Sequence, residues 1–172
     1  MAVNNPGLRS YAGLYIQASD ANYASSRISN LAATEIMATY GLIPLVGLRP
    51  TFPAPKQPYR IDWKDEHGSD EYVDELFYEA QEVTVRFYIR AEQVSDIETV
   101  RANLFSDIMK GDFLLYSEYW GRGYVHVRFA GEDGEPEYTY GDFVRCQFSI
   151  KLRLNDPITE VVLNNGVLSP VS

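Results

Sequence analysis

Apolar and polar residues alternate strictly in two segments in the second half of the chain. Over residues 82–90 and 144–154 every second side chain is aliphatic, aromatic or cysteine. A two-residue period places the apolar side chains on one face of a half-buried strand. The second segment is unusually long, and Asn155-Asp156-Pro157 is predicted to end it. The pattern therefore predicts two long strands, the second longer than most.

Between these strands the apolar period changes to that of a helix. The apolar positions that follow helical spacing are Ile97, Val100, Leu104 and Ile108. Ser95 and Glu98 match a capping box at the N-terminus, and Gly111 offers a C-terminal stop. A spacing of three and four residues gives one apolar stripe that packs on a neighbouring element. We predict a single helix over about 96–110 that packs on the flanking strands.

The rest of the second half is predicted to form hairpins. Residues 113–120 are apolar and aromatic, Gly121-Arg122-Gly123 is a tight connection, and alternation resumes up to Phe129. Residues 131–142 combine glycines with acids, as in an exposed loop or a second hairpin tip. The order strand, helix, strand, strand, strand is an α+β pattern. The expected fold is mostly β, an antiparallel β-sandwich or split barrel with one flanking helix.

The first sixty residues have a different character. Five of the nine prolines fall between residues 44 and 58, so 44–60 is predicted to be an extended surface connector. Residues 31–40 fit either a short helix stopped by Gly41 or an irregular strand. Within a single domain we expect an N-terminal arm and connector (1–60), a β-rich core (61–157) and a C-terminal tail (158–172). The tail, with a turn at Asn164-Asn165-Gly166, is expected to add an edge strand or to dock on a neighbour.

Composition narrows the functional classes. The 172 residues carry 24 acids against 15 bases, a formal charge of −9, which argues against wholesale binding to phosphate backbones. The 13 tyrosines are typical of protein interfaces and equally of a strand-rich chain. No run of 18 apolar residues indicates a membrane span, and the N-terminus lacks the features of a signal peptide. A single cysteine excludes an internal disulfide.

Side chains that usually carry catalysis or bind metal are scarce. His67 and His126 have no metal-ligand spacing to another His or Cys, and both are expected at the surface. Cys146 lies on the apolar face of the long strand, where a buried, inert thiol is expected. His67 and Ser69-Asp70 fall in a predicted turn within an acidic stretch, residues 62–82. We predict no catalytic, cofactor or metal site, and an enzyme that uses acidic-loop carboxylates stays as a minor alternative.

The charges are segregated along the chain. Bases collect on the polar faces of the predicted strands, and acids collect in loops 62–79 and 132–142. Such a bipolar surface suits head-to-tail self-association. The candidate self-association residues are Asp65, Glu66, Asp70, Glu71, Arg145, Lys151 and Arg153. Ordinary charge balance within one subunit explains the same pattern.

The order of the segments resembles a known family. Ala38-Thr39-Tyr40-Gly41-Leu42-Ile43-Pro44 precedes the Pro-rich connector, and Asp62-Trp63-Lys64-Asp65-Glu66-His67-Gly68 and Phe77-Tyr78-Glu79-Ala80 follow it. With the strand, capped helix, hairpin and long closing strand, residues 31–157 resemble small tail components of bacteriophages and prophages, especially distal tail and tail-tube proteins. The first 30 residues are longer than a minimal member needs, and we expect no large second domain. Tube, distal-tail and terminator roles therefore stay open.

The resemblance implies a structural role without catalysis or cofactor. It implies hexameric rings stacked about a channel through which DNA passes without specific binding, with other tail proteins as partners. The protein would be made in the bacterial cytoplasm, reside in the virion tail and need no membrane. The alternative is a monomeric β-sandwich module that binds a protein or glycan. Its expected marker is a platform of exposed aromatics at the hairpin tip: Tyr119, Trp120 and Tyr124.

Overall fold

The structure is a computed structural model that describes residues 13–46, 52–57, 59–62, 69–72 and 77–171. Within these ranges the strands are β1 (Leu14–Ala18), β2 (Thr34–Glu35), β3 (Ile43–Val46), β4 (Tyr59–Asp62), β5 (Ser69–Tyr72), β6 (Gln81–Ala91), β7 (Phe113–Ser117), β8 (Arg122–Glu132), β9 (Glu137–Thr139), β10 (Val144–Asn164) and β11 (Val167–Pro170). The α-helices are α1 (Ile36–Tyr40) and α2 (Val94–Ile108), and a 3-10 turn spans Ala21–Tyr23.

One curled antiparallel sheet forms the body of the fold. Its strand order is β2-β1-β7-β8-β10-β6-β3, and β9 and β11 also pair with β10. The sheet curls into a half barrel, and strands far outnumber helices. The predicted α+β, mostly β class is confirmed. β4 and β5 form a separate two-stranded sheet.

The core lies on the inner face of β6 and β10. The apolar residues of β10 from Val144 to Leu154 are buried and pair in register with the strand β6, as the alternation predicts. Phe87 and Phe148 pack with ring centroids 5.5 Å apart. α2 contributes Ile97, Leu104 and Ile108 to the same cluster. Each such side chain stabilises the fold by about 1.5–3 kcal/mol before the entropy cost.

The helix is confirmed, but its predicted signals at both ends are wrong. α2 starts at Val94, two residues early, and Gln93 is the N-cap without a side-chain hydrogen bond to the helix. Ser95 lies inside the first turn and therefore cannot cap it. At the other end the helix stops at Ile108 with Met109 in a right-handed conformation.

Gly111 has a different role from the predicted stop. A Cβ at this position would lie 2.4 Å from Cδ1 of Tyr23. The glycine therefore permits close packing of the chain after α2 against the 3-10 turn. Lys110 also lies beyond the helix, and its Nζ donates to the Ala24 carbonyl at 3.2 Å.

The long closing strand does not end where predicted. β10 runs on for 21 residues, and Pro157 lies inside it. Between Asp156 and Glu160 the pairing with β8 is irregular. Proline is tolerated where a strand has no ladder bond to lose. After β10, Asn165 and Gly166 adopt positive φ angles of 49° and 77°, and the tail returns as the strand β11.

The N-terminal region takes part in the sheet. β1 lies between β2 and β7, and its Leu14, Ile16 and Ala18 are buried. Residues 31–40 contain both a short strand and the helix α1, which Gly41 ends at φ 72°. β3 overlaps the start of the predicted connector and is an edge strand of the main sheet as described. Residues 47–51 and 58 of that connector lie outside the described residues. The division into arm, core and tail stays a prediction.

Three other local predictions are refined. The apolar strand at 113–120 is shorter, because residues 118–121 form the turn into β8. Ser69 and Asp70 belong to β5 rather than to a turn, and His67 lies outside the described residues. Segment 131–142 holds the end of β8 and the strand β9, so it includes a second hairpin tip.

Candidate interface on the outer face of the sheet

The polar face of β6 and β10 forms a shallow groove. Cross-strand pairing aligns Thr139, Arg145 and Arg90 in one row, and Glu137, Gln147 and Tyr88 in the next. These six residues line a groove of about 390 Å³. Because alternate residues of the same strands are buried in the core, this face points away from α2. Its floor is formed by the continuous antiparallel pairing of β6 with β10, from Gln81–Leu154 to Ala91–Val144.

The acidic segment 131–142 supplies two carboxylates to this face. Glu137 binds Arg86 at 3.1 Å, and Asp133 binds Lys151 at 3.2 Å. Charge balance within the subunit, the alternative reading of the segregated charges, therefore accounts for these two bases. Both pairs are solvent-exposed, and such pairs contribute little to stability.

The other candidate bases differ in their surroundings. Arg153 pairs in register with Glu82 on one side and Arg128 on the other, and its Nε donates to Asn155 at 3.2 Å. Arg145 is exposed and forms no ion pair with any described residue. Of the three predicted bases, only Lys151 forms an ion pair among the described residues.

The predicted acidic partners lie mostly elsewhere. Asp65 and Glu66 fall outside the described residues. Asp70 and Glu71 lie on β5, opposite Ile61 and Arg60 of β4. This hairpin is separate from the main sheet. The contribution of these acids to self-association stays a prediction.

Two of the three predicted aromatics are accessible. Tyr119 and Trp120 occupy the turn between β7 and β8, are 57% and 42% exposed, and pack edge to face with centroids 4.9 Å apart. Tyr124 is only 4% exposed, and burial raises the pKa of its hydroxyl. The prediction that Tyr124 belongs to an exposed aromatic platform is therefore wrong.

A break in the alternation of β8 explains the burial of Tyr124. Tyr124 and Val125 are both buried, in two different apolar clusters. His126, which directly follows Val125, has a positive φ of 51°, and such angles are uncommon for residues other than glycine. The strand thus turns between two clusters, and simple alternation cannot predict which side chains face inward.

An ionic cluster around the buried side chain of Arg101 on α2 was not predicted. The Arg101 side chain is 91% buried and binds Glu98 at 2.7 Å and also Glu132. Its guanidinium lies 5.6 Å and 5.2 Å from the ring centroids of Phe105 and Phe148. The spacing of Glu98 and Arg101 was the available signal, since such i,i+3 pairs are common on helices. The cluster ties α2 to the end of β8.

Tyr138 of β9 extends this cluster. Its hydroxyl donates to Glu98, and this bond lowers the pKa of the Glu98 carboxyl. Burial and the same carboxylate raise the pKa of Tyr138. Cys146 lies beside it, fully buried as expected, and burial raises the pKa of its thiol. The Tyr138–Glu98 contact thus holds α2 against β9. The Cys146 thiol is not accessible as a nucleophile, because it is fully buried.

His126 lies at the surface as expected. Its Nδ1 is 3.3 Å from Oδ2 of Asp112, and Oδ1 of the same carboxylate accepts a hydrogen bond from Nε of Arg128. Burial opposes the charge on Asp112, but these two partners outweigh it and lower the pKa of the carboxyl. In the described ranges, no three His, Cys, Asp or Glu side chains are placed to hold a metal ion. Nor is any helix there long and apolar enough to cross a membrane.

Comparison with known proteins shows a likeness of fold and no match of sequence. No protein-family model matches the chain, and no curated protein matches its sequence. Among solved structures, the chain is similar to the SPP1 Dit (gp 19.1) protein, presented as a paradigm of the hub adsorption apparatus in Gram-positive-infecting phages. The likeness has a TM-score of 0.50 at 10% identity and covers 87% of this chain. This chain spans about half, 52%, of that protein, and what the two share is a fold.

Proposed function

We propose that this chain is a structural subunit of a phage or prophage tail, of the distal-tail or tail-tube type, that performs no catalysis. It self-assembles into a ring, of six copies, around a channel through which DNA passes without specific binding. Its partners are further copies of itself and other tail proteins, and its location is the virion tail. The fold shared with the Dit hub protein over most of the chain carries this proposal.

The charges of the outer sheet face support it. A channel for DNA must not hold the DNA, so its bases need to be masked by acids or turned into subunit contacts. Lys151 and Arg86 are masked by acids of the same chain. Bases left without such a partner are then expected at contacts between subunits.

Mass in solution tests this proposal directly. Sedimentation velocity over a concentration series, with negative-stain images of the most concentrated sample, is expected to show discrete ring-sized assemblies and stacked rings. A matched series at high salt is expected to shift the equilibrium toward monomer, because charge pairs at exposed contacts are screened. A chain that stays monomeric throughout would contradict self-assembly.

The exposed Tyr119–Trp120 pair favours a second candidate, a binding module for a protein or glycan. Exposed aromatics with an apolar face and a polar edge are typical of such contacts. Quenching or shift of Trp120 fluorescence on titration with a glycan panel would support it. Trp120→Ala is then expected to remove binding and Tyr140→Ala, at another exposed aromatic, to retain it. A wild-type chain that binds no member of the panel and no tail protein argues against it.

A further inference from the structure

Two arginines face each other on the outer side of the sheet. Arg90 of β6 pairs in register with Arg145 of β10, and both line the groove. Like charges directly opposite on neighbouring strands destabilise a sheet. An anionic group bound across the pair would offset this repulsion.

The acids beside the groove are already engaged. Glu137, the acid in its lining, has its carboxylate on Arg86, four residues from Arg90 along β6. Arg90 instead lies over the ring of Phe143, 4.3 Å from its centroid. No described acid forms an ion pair with either member of the Arg90–Arg145 pair. Among the described residues, the pair therefore has no acidic counter-charge.

We infer that the Arg90–Arg145 groove binds carboxylates of a second copy of this chain, supplied by the acidic hairpin β4–β5. This inference rests on the proposed self-assembly. The chain carries a net charge of −9, and nine of its acids fall between Asp62 and Glu82. A second copy is thus a rich source of carboxylates, and Asp70 and Glu71 lie on β5.

The shape of the hairpin points to the same occupant. Within the described ranges, β4 and β5 pair with each other and not with a strand of the main sheet. A two-stranded hairpin is marginally stable in water by itself, so packing on a second surface stabilises it. Guanidinium groups bind carboxylates through two parallel hydrogen bonds, which makes the contact specific in geometry. Tyr88 and Gln147, in the neighbouring row of the groove, offer further hydrogen-bond donors.

The first test compares self-association of the full chain with its Arg90→Gln/Arg145→Gln variant by sedimentation velocity. We expect self-association to weaken at least about tenfold and its salt dependence to flatten. Lys56→Gln/Lys110→Gln removes the same charge at two exposed positions and is expected to behave as wild type. The arginine variant is expected to melt at the same or a higher temperature, because the repulsion within the sheet is gone.

A charge swap identifies the donor. Arg90→Glu/Arg145→Glu and Asp70→Arg/Glu71→Arg are each expected to weaken assembly, and the fourfold variant that combines them to restore it. Rings that form equally well in the Gln variant would overturn the inference and leave the proposed function standing. Dimers that depend on the arginines but never close into rings would support the inference and contradict the proposed ring assembly. A monomeric wild type contradicts both.

The same variants separate a protein partner from a nucleic acid. A fluorescent duplex DNA is titrated into the wild type and the Gln variant in parallel with the self-association series. No binding, or equal binding by both proteins, agrees with a carboxylate partner when assembly depends on the arginines. Loss of DNA binding with assembly unchanged would identify a phosphate site instead and overturn the inference.

Discussion

At the scale of single residues, buried polar groups hold the N-terminal region to the helix. Asp107 is buried at the end of α2 and accepts a hydrogen bond of 2.5 Å from the Tyr40 hydroxyl. Arg27 donates to the same carboxylate at 3.1 Å. Burial and the Asp107 carboxylate raise the pKa of Tyr40. This contact joins α1 and the segment before it to an element that lies far away in sequence.

We expect Tyr40→Phe to lower the free energy of unfolding by about 1–3 kcal/mol, because a buried carboxylate loses a donor. Tyr140→Phe is the matched control, since this tyrosine is 71% exposed, and its change should stay within about 0.5 kcal/mol. Urea denaturation measures both. Equal effects of the two substitutions would show that the Tyr40 hydroxyl does not stabilise the fold.

Asp112 gives stability a pH dependence of known sign. Its pKa is lowered in the folded protein, so folding gains stability above the pKa of an unfolded aspartate, about 4, and loses it as pH falls through the folded value. Asp112→Asn should therefore be less stable than wild type at neutral pH, and the difference should close as the solution is acidified below about pH 4. Melting temperatures from pH 7 to pH 2.5 measure this.

Asp142→Asn is the control, because Asp142 is exposed and makes no ion pair among the described residues. Its melting temperatures should follow those of the wild type at every pH. A constant offset between Asp112→Asn and wild type over the whole range would contradict the assigned ionic contact.

At the scale of elements, β10 is the strand on which the fold depends. It pairs with β6, β8, β9 and β11, so both halves of the sheet meet along it. Its irregular segment is stabilised by Asp156, whose carboxylate accepts from the amides of Ile158 and Thr159 at 3.0 Å each and from the Thr159 hydroxyl at 2.6 Å. These bonds lower the pKa of Asp156, although burial opposes its charge.

We expect Asp156→Ala to destabilise the protein by about 1–2 kcal/mol and to speed amide exchange at Ile158 and Thr159. Asp142→Ala, which removes an exposed carboxylate, should change neither. If exchange at the two amides stays at the wild-type rate, the carboxylate does not hold the irregular segment.

At the scale of the whole molecule, the predicted core at 61–157 lacks strands that complete the sheet. The segments outside it supply β1, β2, β3, β11 and the end of β10. Their buried residues include Leu14, Ile16, Leu42, Val161 and Leu168. Removing them would expose apolar faces of β7 and β6 to water.

We therefore expect a fragment of residues 61–157 to show no cooperative thermal transition by circular dichroism, whereas the full chain melts in one step. The full chain at equal concentration is the reference. A fragment with a single sharp transition and protected amides in α2 would establish 61–157 as an independent unit.

Much of the fold could be predicted because the strongest signals are local. The alternation of β6 and the first half of β10 and the helical stripe of α2 each reflect one buried face of one element. The turn at Asn165-Gly166 and the stop at Gly41 follow from backbone conformations that these residues adopt readily. Each signal depends on neighbours within a few residues, so the sequence contains it in full.

The candidate site was predicted only in part. Arg145 was identified from its place on a polar strand face, but the difference between Arg145 and Lys151 depends on where Asp133 lies in space. Arg101 was not identified, because its burial against two aromatic rings and its two carboxylate partners depend on elements that lie apart in sequence. The prediction that Tyr124 is exposed was wrong, because β8 contributes buried side chains to two different apolar clusters.

By itself, the sequence determined the mostly β class, the main helix, the long strands, the acidic balance and the buried cysteine, because composition and short-range periodicity encode each of them. The tertiary structure decided that β1 joins the sheet, that β10 passes through Pro157, and that the Arg90–Arg145 pair lacks a described acid partner. These outcomes depend on which surfaces meet across long sequence separations. Pairing, burial and neutralisation are properties of two partners, and a pattern along one segment describes only one of them.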